Sequence, residues 1–131
     1  MKGLDTNVLV RYLTLDDDAQ AGKATEVIES AARSGEPLFV SQVVLCETVW
    51  VLEAAYRLGR AEVLSALEAI LRTAQMSFED KDVLWQALAD YRAGRGDFAD
   101  HVIGRGGAAA GCATTVTFER ELSESPLFEV L

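Results

Sequence analysis

Short apolar runs alternate with longer segments of helical periodicity along this 131-residue chain. The strand-length runs are a first strand ending at Asp5 and residues 38–40, 75–78, 112–118 and 127–131. The helical segments are residues 7–13, the stretch from the acidic start at 16–18 to 33, the stretch ending at 58–59, and residues 60–73, 80–93 and 97–110. Because each parallel strand connection needs a crossover, this alternation predicts an α/β fold with a mainly parallel sheet.

The length of the chain predicts one domain spanning residues 1–131, and half of its residues are hydrophobic, which is enough for a core. No apolar run approaches the roughly 20 residues that span a bilayer. Asp5 also interrupts the beginning of the chain before a signal-peptide hydrophobic region forms. We therefore expect a cytoplasmic protein with no membrane segment. Cys46 and Cys112 belong to no Cys/His cluster, which predicts reduced thiols.

The charge balance is strongly acidic, with 12 basic and 21 acidic residues and a net charge of −9. Non-specific nucleic-acid binding needs a cationic surface, so the balance by itself argues against it. It favours cations or a basic partner. A divalent metal held by several carboxylates reverses the local sign, so the net charge does not decide what binds there.

Glu47 is the most unusual acid in the sequence, because it lies within the most apolar helical segment. At about 100° per residue, its neighbours on the helical wheel are Val43, Val44, Trp50 and Val51. We therefore expect Glu47 on the buried face. A buried carboxylate is costly unless a metal, an arginine or protonation compensates it, which makes Glu47 a candidate ligand. The alternative is a carboxylate that faces a solvent gap or pairs with a buried arginine.

Asp5 and Glu119 each directly follow a predicted strand. Open α/β sheets bind their ligands at the carboxyl ends of the strands, so the two acids meet there if the two strands are adjacent. Each residue has a structural alternative that the sequence leaves open. Asp5 would cap the next helix, and Glu119 would be an exposed loop acid paired with Arg120.

Asp97 and Asp100 stand three residues apart at the start of a predicted helix and project from its first turn. The structural alternative is a capping arrangement, with Asp97 as N-cap and Asp100 at the third position. Gly104 and Gly107 share the face of Asp100, where small residues would either let the helix approach the sheet or leave room beside the acid. We favour Asp100 as a ligand and Asp97 as a cap or outer-shell acid, and we expect His101 at the surface.

Three or four carboxylates in one cleft repel one another, so their convergence calls for a cation. Oxygen ligands favour Mg²⁺ or Mn²⁺, whereas Zn²⁺ prefers histidine and cysteine. The chain has one histidine. The sequence therefore predicts a Mg²⁺ or Mn²⁺ site.

Four segments together resemble the PIN-domain ribonucleases, and in particular the VapC-type toxins of bacterial toxin-antitoxin pairs. They are residues 4–9 (LDTNVL), 40–47 (VSQVVLCE), 96–103 (GDFADHVI) and 117–122 (TFEREL). The resemblance spans essentially the whole chain, with the segments in the same order and spacing. It implies a three-layer α/β/α sandwich around a central, mainly parallel sheet whose first and fourth strands are adjacent.

The resemblance also implies a site at the carboxyl ends of the strands. Asp5, Glu47 and Asp100 match the three principal acids of the family, and Asp5 and Asp100 would be the metal ligands. The family usually has aspartate where this chain has Glu119, so a second ion is left open. The implied supporting residues are those that orient the first acid and one that adds a hydroxyl to the site, namely Thr6, Asn7 and Thr117.

The function implied by the resemblance is metal-dependent hydrolysis of RNA phosphodiester bonds by the toxin of a toxin-antitoxin pair. Arg11, Arg95, Arg105 and Arg120 lie near the acids in sequence and are candidate phosphate contacts. The implied partners are an RNA substrate, a cognate antitoxin and a second copy of the chain in a homodimer. A basic, partly disordered antitoxin segment would suit a chain with a net charge of −9.

Two alternative functions remain open at the level of the sequence. A Mg²⁺-dependent phosphoacceptor or phosphatase-like domain also places an aspartate after a strand, although here the second aspartate of the phosphatase motif is absent. A non-catalytic α/β binding module would use the same acids as helix caps and surface charges.

Overall fold

The computed structural model describes residues 1–16 and 18–131, which form two units, Met1–Glu79 and Asp80–Leu131. Asp17, in the middle of the predicted acidic helix start, lies outside the described residues. Each unit combines helices with parallel strands, as the alternating sequence pattern predicts. The assignment of residues 1–131 to a single domain stays a prediction.

In the first unit the strands alternate with helices. The strands are β1 (Lys2–Gly3), β2 (Leu38–Val40) and β3 (Met76–Phe78), and the helices are α1 (Thr6–Thr14), α2 (Asp18–Ser34), α3 (Gln42–Ala54) and α4 (Arg60–Leu71). β2 lies between β1 and β3 and pairs with both in parallel. The carboxyl ends of the three strands therefore lie along one edge of the sheet, and Asp5, Ser41 and Glu79 follow close behind them.

The second unit carries the remaining elements: α5 (Lys81–Ala93), α6 (Phe98–Ala109), β4 (Thr115–Thr117), a 3₁₀ turn (Arg120–Leu122) and β5 (Phe128–Val130). β4 and β5 pair in parallel, and α6 packs against both α5 and β4. The rings of Tyr91 and Phe98 meet edge to face with centroids 5.9 Å apart, which joins the end of α5 to the start of α6. The predicted adjacency of the first and fourth strands involves both units and stays a prediction.

The glycines of α6 let this helix lie close to the β4–β5 pair. A Cβ atom on Gly104 would fall 2.7 Å from the ring of Phe128, and one on Gly107 would fall 2.6 Å from Oγ1 of Thr115. Real Cβ atoms essentially never make contacts this short. Of the two roles expected for the small residues on this face, Gly104 and Gly107 show the first, close approach of the helix to the strands.

The strand predicted over residues 112–118 is shorter at both ends than expected. At its start, the amide of Cys112 donates to the carbonyl of Gly107 at 2.9 Å, so Cys112 is held in the turn that follows α6. At its end, the amide of Glu119 donates to Oγ1 of Thr117 at 3.0 Å, which turns the chain out of the strand. Local hydrogen bonds therefore limit β4 to three residues.

α2 illustrates how a helix buries one apolar stripe. Its buried residues recur at helical spacing and are Ala21, Ala24, Ile28 and Ala31. Most of the other positions in this helix are exposed. Among the described residues, no helix combines the length and the apolar character needed to cross a membrane.

Candidate acidic active site

Asp5 occupies the N-cap position of α1 without capping the helix through its side chain. Its backbone carbonyl accepts the amides of Val8 and Leu9 at 3.1 and 3.3 Å, as an N-cap carbonyl does. Ser41, at the start of α3, shows the usual arrangement, because its hydroxyl accepts the amide of Val44 at 3.1 Å. Asp5 therefore caps α1 through its backbone carbonyl and not through its side chain. Its exposed carboxylate does not cap the helix, so it can bind another group.

Thr6 connects the start of α1 to α3. Its side chain is largely buried, and Oγ1 donates a hydrogen bond to Oε1 of Glu47 at 3.2 Å. The predicted acid Glu47 is thus brought beside the residue that follows the predicted acid Asp5. The next residue, Asn7, is exposed and lines a groove of about 310 Å³ between α1 and α2.

The prediction that Glu47 is buried is wrong, because Glu47 is exposed. α3 turns a different stripe inward, made of Leu45, Thr48, Val49 and Leu52. Two of the apolar neighbours that suggested burial are themselves on the surface, with Val43 67% and Trp50 51% exposed. The helix is apolar on both faces, so hydropathy alone did not identify its inner face. Glu47 remains a candidate through its contact with Thr6, not through burial.

Asp97 and Asp100 lie in the first turn of α6, as predicted. Asp97 is the N-cap residue, and its backbone amide donates to Oδ2 of Asp100 at 3.0 Å. The predicted capping relationship between the two acids is therefore present. It engages one oxygen of Asp100, whose side chain is only partly exposed.

The prediction that His101 lies at the surface is also wrong. This residue is 4% exposed, and its Nε2 atom lies 2.8 Å from the carbonyl oxygen of Arg95. The identity of Arg95 did not mark this bond in the sequence, because the acceptor is a backbone carbonyl in the loop between α5 and α6 and any residue type offers the same acceptor. His101 is the residue near the acids that the sequence analysis missed.

Thr117 and Glu119 form a local unit at the end of β4. The hydroxyl of Thr117 accepts the amide of Glu119, and Oε1 of Glu119 accepts the amide of Glu121 at 3.4 Å. Glu119 thereby caps the 3₁₀ turn, and its side chain is exposed. The hydroxyl of Thr117 was predicted as a site group. In the structure it stabilises the backbone turn at Glu119.

Of the four candidate arginines, two are committed to carboxylates. Arg105 makes a bidentate pair with Asp90, at 2.6 and 2.8 Å, and these hydrogen bonds raise its pKa. Nη1 of Arg11 binds Asp16 at 2.8 Å. The pKa of Asp16 is lowered chiefly by the hydroxyl of Tyr56, which donates at 2.6 Å, and further by Arg11.

The other two arginines, Arg95 and Arg120, are exposed and stand close in sequence to predicted acids. Arg95 precedes Asp97 by two residues, and Arg120 follows Glu119 directly. They are therefore better suited than Arg11 and Arg105 to contact an anionic ligand.

Taken unit by unit, the described residues include no group of three or more His, Cys, Asp or Glu side chains that would hold a metal by itself. The first unit brings Glu47 to the residue after Asp5, and the second unit brings Asp97 to Asp100. The convergence of Asp5, Glu47 and Asp100 on one ion stays a prediction.

The PIN domain matches residues 3–125, nearly the whole chain. The chain therefore belongs to the PIN domain family. It is also similar to a VapC ribonuclease from Aquifex aeolicus (strain VF5). The two are 28% identical over 124 residues, which cover 95% of this chain and 91% of that protein. The predicted family resemblance is thus confirmed, together with the α/β fold class.

Proposed function

We propose that this protein is a metal-dependent endoribonuclease that acts as the toxin of a toxin-antitoxin pair. The observation that carries the proposal is the PIN-domain match over residues 3–125, which includes all four predicted acids. The similar Aquifex aeolicus protein is a VapC ribonuclease, and the similarity covers 95% of this chain. Family membership favours this function over a phosphoacceptor domain or a non-catalytic binding module.

The chemistry of the donors fits Mg²⁺ or Mn²⁺. The predicted ligands offer carboxylate oxygens, which suit hard dications. Two of the softer donors are poorly placed to compete: burial raises the pKa of the Cys46 thiol to about 11, so it stays protonated near neutral pH. Nε2 of His101 is engaged with the carbonyl of Arg95.

In this proposal Asp5 and Asp100 hold the ion. When bound, the ion supplies a more acidic water and neutralises charge that develops on the phosphate oxygens. Glu47, oriented by Thr6, would anchor the water around a bound ion, and Glu119 would reach the site through water. No side chain forms a covalent bond to the RNA.

The remaining side chains bind and orient. Asn7 and Thr6 orient the first acid, Asp97 holds one oxygen of Asp100, and Thr117 fixes the direction of the chain at Glu119. Arg95 and Arg120 contact the RNA backbone, because Arg11 and Arg105 already bind carboxylates. Local cations of this kind let an RNA approach a chain whose net charge is −9.

The proposal includes two protein partners and a compartment. A cognate antitoxin with a basic segment would be attracted to the acidic chain and would neutralise the toxin. A second copy of the chain would complete a homodimer, and the protein would act in the cytoplasm.

The proposal is tested by RNA cleavage with and without a divalent ion. We expect cleavage of single-stranded RNA in Mg²⁺ or Mn²⁺ and its loss in EDTA, with activity restored when excess Mn²⁺ is added back. Calorimetric titration of the ion into the protein should give a measurable heat that saturates. The readout is the fraction of a labelled RNA cleaved over time.

The control for this experiment is Ca²⁺, a larger ion that prefers longer and less regular coordination than Mg²⁺. Equal cleavage in EDTA and in Mn²⁺ would refute metal dependence. A silent titration together with no cleavage of any RNA would favour the binding module. Stable phosphorylation by a small phosphodonor would favour the phosphoacceptor.

The contact between Thr6 and Glu47 gives a separate prediction. Replacing Thr6 with valine keeps the size and branching of the side chain but removes the hydroxyl that donates to Glu47. We expect RNA cleavage to fall about tenfold, within the range found when an outer-shell partner of a metal site is lost. The Thr6→Ser protein keeps the donor and is expected to stay within about twofold of the parent. Equal rates for the valine and serine variants would contradict this role.

A further inference from the structure

His101 is buried and hydrogen-bonded, and the proposed reaction gives it no role. It lies in the first turns of α6, and its Nε2 atom is 2.8 Å from the carbonyl oxygen of Arg95. A carbonyl oxygen only accepts, so Nε2 carries the hydrogen whether the ring is neutral or charged. The side chain therefore donates a hydrogen bond of fixed direction from α6 to residues 94–96, which we call the entry loop.

Gly96, the last residue of the entry loop, is confined by its backbone conformation and by its neighbours. This residue has a φ of +94°, a conformation that L side chains rarely adopt. A Cβ atom there would fall 2.8 Å from Cδ2 of Leu122, in the 3₁₀ turn, and 3.3 Å from Oδ2 of Asp100. The loop is therefore packed between the turn that follows Glu119 and the carboxylate of Asp100.

The backbone links His101 to Asp100 through this loop. The bond from His101 fixes the carbonyl of Arg95, and the amide two residues further on, that of Asp97, donates to Oδ2 of Asp100 at 3.0 Å. That bond holds one oxygen of the carboxylate. In the proposed function the other oxygen, Oδ1, is the atom that would meet the ion.

We propose that His101 is a positioning residue that fixes the orientation of the Asp100 carboxylate through the entry loop. This inference rests on the proposed ribonuclease function. His101 itself touches neither the RNA nor the ion. Without the bond to Arg95, the entry loop gains freedom, the amide of Asp97 no longer fixes Oδ2, and Asp100 binds the ion less tightly.

The test compares two variants of the full chain, His101→Leu and His101→Gln. Leucine fills a similar volume but has no donor, whereas glutamine places an amide N–H close to the position of Nε2. We expect His101→Leu to need about tenfold more Mn²⁺ for half-maximal RNA cleavage, the size found when outer-shell partners of metal ligands are lost. Its rate at saturating Mn²⁺ should recover to within about twofold of the parent. His101→Gln should stay within about twofold of the parent in both quantities.

Several outcomes would overturn the inference. A role in packing alone would lower the rates of both variants equally, with no change in the Mn²⁺ requirement. An unchanged Mn²⁺ requirement in a folded His101→Leu protein would also overturn the inference. An inactive parent protein would instead reject the proposed function, so the two failures are distinguishable.

A second measurement serves if His101→Leu fails to fold. The ¹⁵N spectrum of the imidazole in the unmodified protein should show the hydrogen on Nε2, and hydrogen exchange at the amide of Asp97 should be no faster in His101→Gln than in the parent. A hydrogen on Nδ1 alone would break the bond to Arg95 and overturn the inference.

Discussion

The Asp100→Asn protein is expected to fold normally and to cleave RNA at least roughly a hundredfold more slowly than the parent. The amide keeps an oxygen that can accept the backbone amide of Asp97, so the start of α6 is preserved. It removes the negative charge that the proposal assigns to the ion. A bound ion contributes several kcal/mol of charge stabilisation in the transition state, and each 1.36 kcal/mol is about tenfold in rate.

The controls for Asp100→Asn separate the ligand from the surrounding negative charge. Asp97→Asn keeps a good N-cap residue, because asparagine and aspartate cap helices about equally well. We expect that variant to lose about tenfold, as an outer residue would. Glu129→Gln removes an exposed acid of β5 in the same unit and should leave cleavage within about twofold of the parent. Single-turnover cleavage at saturating Mn²⁺ that is equal in Asp100→Asn and Glu129→Gln would reject Asp100 as a ligand.

The positions of the helices and strands followed from the sequence because local patterns determine them. The strand at Leu38–Val40 was predicted at its observed bounds, and the helices were predicted to within a few residues. Those patterns report which residues are apolar and at what spacing. They do not report which of two apolar faces turns inward, and that is why Glu47 was expected in the core.

The same limit explains why the burial of His101 was not predicted. A polar residue beside two acids is usually exposed, and only the three-dimensional path of the entry loop brings the carbonyl of Arg95 within 2.8 Å of the ring. Gly96 was a partial signal, since glycine before an N-cap residue suggests an unusual backbone conformation. The sequence identified the acids as candidates, whereas it did not reveal the hydrogen bonds that orient them.

The second large prediction concerns the glycines of α6. Alanine substitutions at nearby positions are expected to change the free energy of unfolding in opposite directions. Gly104→Ala is expected to lower the free energy of unfolding by about 1–3 kcal/mol, because the new methyl group would displace the ring of Phe128. Gly106→Ala is expected to raise it by about 0.5–1 kcal/mol, because alanine favours the helix and, apart from the adjacent residues and the backbone of α6 itself, no described atom lies within 4 Å of the new Cβ.

Gly107→Ala should fall between these two, because the atom it meets, Oγ1 of Thr115, lies at the end of a single rotatable bond. Thermal unfolding measures the order, at roughly 3–5 °C per kcal/mol for a chain of this size. The expected melting temperatures fall in the order Gly106→Ala, parent, Gly104→Ala. A Gly104→Ala protein that melts as high as Gly106→Ala would mean that α6 does not lie against Phe128 as closely as the fold requires. The close packing of α6 on the strand pair, and with it the placement of Asp100 at the head of that helix, would then have to be revised.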